Sequence, residues 1–216
     1  MNDTESMAAF MTALTTEHFV LQTAANATVS EAAARSSLYV FSLSSSLVAI
    51  GFASRSREAL VPFLATVLSS LFVLGLFTIV RLVDTTLENM RCLTGIARIR
   101  GYYRTLTPEA AVYFAVRHGR WPEGHTPSLG LGPVVAFFTT SASMIAFINS
   151  IVAGIGATLL AGELLAGDRT VLALSIGAAT AVALMAVFVA YQRWRFSIFE
   201  LAQAQEESQD TVHRQE

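Results

Sequence analysis

Charged residues vanish from this chain in four long runs and crowd into the segments between them. No Asp, Glu, Lys or Arg occurs between Arg35 and Arg55, between Glu58 and Arg81, between Glu123 and Glu163, or between Arg169 and Arg193. About 20 apolar residues, rising 1.5 Å each in a helix, cross a hydrocarbon core of roughly 30 Å. Each run is long enough to do so. The third opens with a Pro/Gly-rich lead-in, and Pro133 suits a first helical position because it has no N–H to leave unsatisfied. The pattern predicts helices near residues 36–54, 59–82, 134–160 and 170–192. The fold class is then all-α: an integral membrane protein with four transmembrane helices in two hairpins and cytoplasmic helical extensions.

Composition strengthens this reading and excludes others. Of 216 residues, 53% are hydrophobic and 14% charged, whereas a soluble domain carries about a quarter charged residues. The net charge of −2 offers no general attraction to a nucleic acid polymer. All 14 basic residues are arginine, which with the abundant alanine fits a GC-rich bacterial genome. Eleven arginines (35, 81, 91, 98, 100, 104, 117, 120, 193, 195 and 214) fall on the side of the N-terminus, middle loop and tail, and three (55, 57 and 169) on the other. Arginine-rich loops stay inside. The expectation is a multi-pass protein of the bacterial inner membrane with both ends in the cytoplasm. The first basic residue is Arg35, so no positive n-region of a cleavable signal peptide is expected.

The chain divides on this basis into a cytoplasmic helical lead-in (1–35), a first hairpin (36–82), a cytoplasmic helical insert (83–132), a second hairpin (133–192) and a cytoplasmic tail (193–216). Residues 16–35 lack proline and glycine and predict a helix running into the membrane. Leu21, Ala25 and Val29 form a narrow apolar stripe on it, with Gln22, Asn26 and Ser30 as a polar line alongside. The second span is expected to continue past the bilayer through Asp84, Glu88, Arg91 and Arg98, and the fourth into the polar tail. A further helix is signalled by Thr107 as cap, Pro108 at the first position and Glu109 at the positive end, with Gly119 to stop it.

Within the spans, small residues recur every four positions at Ala142, Ala146, Ser150, Gly154 and Thr158, and again at Ala173, Gly177 and Ala181. Such lines let backbones approach closely where lipid removes the hydrophobic drive. Packing within one chain and an oligomer interface both remain open. Asn149, near mid-span, needs a hydrogen-bonding partner, in a structural role or as a pore lining. No acidic residue sits in a span, which argues against a proton pump with an intramembrane carboxylate.

Candidate chemistry lies in the insert, where arginines alternate with aromatics. Arg98, Arg100, Tyr103, Arg104, Arg117 and Arg120 form the candidate ligand-binding set, with Tyr102, Tyr113, Phe114 and Trp121 among them. Guanidinium grips phosphate in a two-pronged fashion and aromatic faces stack on bases, so a nucleotide or another anionic ligand is expected. The same residues are also what any inner membrane face displays. His18, His118, His125 and His213 lack metal-ligand spacing and read as solvated or interfacial. The segment 128–133, SLGLGP, is a loop, lacking the third glycine of a dinucleotide fingerprint. Cys92 stands alone, which excludes an intramolecular disulfide. No catalytic residues, metal or cofactor are expected; the chain reads as non-enzymatic.

The stretch EAAARSSLYVFSLSSSLVAIGFASRS, followed by a second span and RIRGYYRTLTPEAAVYF, resembles an uncharacterised actinobacterial family of four-span membrane proteins. That resemblance covers residues 31–114 and implies no activity. Residues 31–38, a charged and alanine-rich entry into the first span, are also similar in kind to Pycsar membrane effectors. Arg35 stands where lysine is common in that family, and the second hairpin is an addition. The resemblance implies a membrane effector in antiphage defence, responding to a cyclic nucleotide by perturbing the membrane as a homo-oligomer. A channel or small-solute transporter, and a membrane scaffold, are the alternatives.

Overall fold

The computed structural model describes residues 3–114, 138, 140–165 and 169–213. Among them helix predominates and no strand occurs; the five helices are α1 (Asp3–Ala53), α2 (Arg57–Arg104), α3 (Pro108–Tyr113), α4 (Ser141–Leu164) and α5 (Thr170–His213). All but α3 are long and apolar enough to cross a membrane. The protein is an all-α, four-span membrane protein.

Helix α1 starts at Asp3, well before the predicted lead-in at residue 16. Asp3 and Glu5 occupy its first turn, where carboxylates meet the unpaired N–H groups and positive end of the helix dipole. No proline interrupts it, and Gly51 is its one glycine. Its many hydroxyls bond back to carbonyls one turn earlier: Thr12 to Ala8, Thr16 to Thr12, Ser42 to Leu38 and Ser44 to Val40, each near 2.9 Å. Serine and threonine in a span are thereby satisfied locally. A turn at residues 54–56 reverses the chain, tied by Ser54 N–H to the Ile50 carbonyl and Ser54 Oγ to the Gly51 carbonyl.

Two compact units emerge, each made of separated stretches: Met1–Ala34 with Asp84–Thr140, and Arg35–Val83 with Ser141–Glu216. The second is the membrane bundle. In it the two small-residue lines meet each other within one chain. A Cβ placed on Gly154 would lie 2.8 Å from the Gly177 carbonyl oxygen and 3.1 Å from Ala181 Cβ, and one on Gly177 would collide with the Thr158 hydroxyl. Only hydrogen fits there. Close approach of α4 and α5 supplies the contact energy that lipid cannot.

Asn149 ties three spans together. The Tyr39 hydroxyl of α1 donates to Asn149 Oδ1 at 3.2 Å, and Asn149 Nδ2 donates to the Phe72 carbonyl of α2 at 3.3 Å. Tyr39 is fully buried and Asn149 nearly so, at 3% exposure. Gly75 makes the space, since a Cβ there would overlap the Asn149 carboxamide. Asn149 is therefore a structural tie. Ser143 and Gln192, both buried, form a longer contact between α4 and α5 at 3.5 Å. The outer surface is strongly apolar, with Phe41, Phe52, Phe77, Leu160 and Val182 exposed. A water-facing surface rarely carries so much contiguous apolar area; a lipid-facing one requires it.

Candidate functional site

The other unit pairs the first half of α1 with the second half of α2. Phe10 packs edge-on against Tyr102, ring centroids 5.5 Å apart, and Leu21 fills the space left by Gly95. Advancing along α1 from residue 10 to 21 thus means retreating along α2 from 102 to 95: the two segments run antiparallel. Ala25, Thr28, Leu87, Ile96 and Ile99 are buried in this unit.

Between the two helices lies a cavity of about 400 Å³, within the range of small-molecule sites. From α1 come His18, Gln22, Ala25, Asn26 and Val29; from α2 come Asn89, Leu93, Ile96 and Arg100. On each helix these positions recur at three- and four-residue steps, which puts them on one face. Two atoms of these residues, His18 Nδ1 and Asn89 Oδ1, are shielded from solvent without a hydrogen-bond partner. An unmet polar atom removed from water costs about 1–3 kcal/mol. Both belong to residues that line this cavity.

The cavity selects among the arginines and tyrosines that the sequence singled out. Arg100 lines it, with its guanidinium carbon 5.9 Å from the centre of the Phe114 ring. Tyr103 packs against the same Phe114 ring at 5.3 Å. Arg104 ends α2, half-buried. Arg98 is exposed; two residues from Arg100, it does not share its helix face. Arg117 and Arg120 lie outside the described residues, as do Gly119, His118, His125, Trp121, Pro133 and the loop 128–133.

Helix α3 begins as expected. Thr107 is extended and its Oγ1 accepts from the Ala110 N–H at 3.1 Å, Pro108 follows, and Phe114 N–H closes on the Ala110 carbonyl. His18 is half-buried and lines the cavity. Asn89 went unnoticed altogether. Its signal was the spacing Asn89, Leu93, Ile96, Arg100, which gains meaning only once α1 lies opposite. Among the described residues no group of His, Cys, Asp and Glu is arranged to hold a metal.

The architecture thus defines a class, a four-span membrane protein with a polar cavity in the paired portions of α1 and α2. Comparison with protein families, curated proteins and solved structures finds no match for this chain.

Proposed function

We propose that this chain is a ligand-responsive membrane effector of the bacterial inner membrane, with both ends in the cytoplasm. A small anionic ligand, a cyclic nucleotide in the first instance, seats between α1 and α2. The spans then rearrange or oligomerise and breach the bilayer, as an antiphage defence would require. The observation that carries this reading is the cavity itself, lined by Arg100, His18 and Asn89, on helices that continue without a break as spans. The arginine asymmetry supports the cytoplasmic placement of that cavity. The likeness of residues 31–38 to Pycsar effectors supports the ligand class.

Calorimetric titration of the purified protein with a panel of cyclic nucleotides tests it. Binding is expected from at least one, weakened about tenfold or more in Arg100→Ala, since charge-assisted hydrogen bonds are the strong ones. Dye-loaded liposomes carrying the protein should leak only when that nucleotide is added. Absence of heat from every member sinks the reading, as does a reporter fused near Tyr103 that proves periplasmic. Flux without any ligand points instead to an ungated channel or transporter.

A further inference from the structure

Helix α2 leaves the bilayer after two crossings and α5 after four, so their extensions emerge on the same side. Both run on without a break, α2 to Arg104 and α5 to His213. Their charges are opposite. Residues 91–104 carry four arginines and no acid, a net of +4, whereas residues 200–216 carry five acids against Arg214, a net of −4. The charges also sit at matching heights. At 1.5 Å per residue, Arg91 to Arg104 lie roughly 14–33 Å past residue 82, and Glu200 to Asp210 roughly 12–27 Å past residue 192, where the charge pattern ends the second and fourth spans.

An apolar stripe runs beside the acids. Trp194, Ile198 and Leu201 follow at four- and three-residue steps, hence on one face of α5, and all three are exposed. Trp194 belongs to the interfacial belt that any span displays. Leu201 does not. It lies roughly 14 Å past residue 192, beyond the roughly 5–8 Å of headgroups that flank the hydrocarbon core. Lipid does not reach it, and at 66% exposure its own chain leaves it open. Arg91 and Arg98 are exposed too, seven residues apart on one face of α2.

From these observations we infer that a second copy covers this surface: the α5 tail of one protomer lies along the α2 extension of its partner, and reciprocally, in a two-fold dimer. Permanent guanidinium charge then meets carboxylates at the same height, and Ile198 and Leu201 leave water. A guanidinium offers five N–H donors, so pairing across the dimer adds to what these arginines hold within one chain. Tail against tail would instead set like charges side by side. The inference stands apart from the ligand reading, since it needs only that both helix ends share a side of the membrane.

The test uses full-length protein in mixed micelles, with self-association read by sedimentation. One variant combines Arg91→Glu with Arg98→Glu; the other combines Glu200→Arg, Glu206→Arg and Glu207→Arg. Each alone should associate at least about tenfold more weakly than wild type, because like charges then face each other across the interface. An equimolar mixture of the two should recover, since the reversed arginines of one copy meet the reversed carboxylates of the other. A contact within one chain gives no such recovery. Wild-type association should also fall several-fold between about 0.05 and 0.5 M salt, as the charges are screened. Unchanged thermal unfolding of the variants excludes misfolding. The inference is overturned if wild type stays monomeric, if both variants associate as it does, if the mixture fails to recover, or if salt has no effect. A monomer that still binds a nucleotide leaves the ligand reading standing while this one falls.

Discussion

The mid-span polar groups of the membrane bundle and the cavity-lining polar residues of the α1–α2 module are satisfied to different degrees. In the bundle, Asn149 has Tyr39 and Phe72, Thr158 has the Gly154 carbonyl, Ser150 has the Ala146 carbonyl, and Ser143 reaches Gln192. In the module, His18 Nδ1 and Asn89 Oδ1 are buried without a partner, on two residues that line one cavity. Ser36 Oγ also lacks a partner, but Ser36 stands at the start of the first span and does not line this cavity. A satisfied polar group holds a fold together. An unsatisfied one beside a cavity holds it ready for something else. Stability measurements can separate the two cases, because substitution should have opposite signs in them.

The largest effect is expected at the α4–α5 seam. Gly177→Val places a branched side chain against the Thr158 hydroxyl and the Gly154 backbone, and overpacking of this kind costs about 3 kcal/mol. Gly51→Val, where nothing lies within 4 Å, is the control and should cost a fraction of that. Unfolding by SDS in mixed micelles reads the difference; equal losses would mean the two helices do not meet as described. Next comes Asn149→Leu, which removes two hydrogen bonds and strands the Tyr39 hydroxyl. Interhelical polar contacts in membranes average about 0.6 kcal/mol each, so a loss near 1–2 kcal/mol is expected. Gly75→Ala should be harmful in wild type and nearly neutral in Asn149→Ala, because the clash is with the Asn149 carboxamide. Additive effects would contradict that contact.

Asn89→Leu breaks the comparison most directly. It removes a buried acceptor that has no partner, so the ligand-free protein should gain about 0.5–1 kcal/mol, opposite in sign to Asn149→Leu. A destabilised Asn89→Leu would show that Asn89 is already structural. The smallest effect belongs to Gly95→Ala. A Cβ there meets Leu21 Cδ1 at 2.8 Å, but that atom is the far end of a flexible side chain, so the cost should stay below about 1 kcal/mol. A thermal melt of the ligand-free protein resolves it.

The spans were legible because charge depletion over 20 residues has few causes other than lipid. The extension of α5 into the tail and the Thr107–Pro108 helix start were legible for local reasons, a continuing helix and a cap. The start of α1 at Asp3 was not, since residues 3–15 mix threonine, alanine and methionine without a strong period. The seam between α4 and α5 could be read as small-residue lines, but a repeat says nothing of its partner; the opposing lines settle it. The candidate site was half legible. Arginine–aromatic alternation drew attention to Arg100 and Tyr103, yet it also drew in Arg98, which lies on a different face of α2. His18 and Asn89 are ordinary surface residues until two helices far apart in sequence are set side by side.

One feature of α1 bears on where the chain tolerates change. From Asp3 to Ile50 it contains neither glycine nor proline, the residues at which long helices usually bend. Its backbone ladder has no gap of that kind, and a proline introduced into its interior would strip one hydrogen bond and press against the carbonyl four residues earlier.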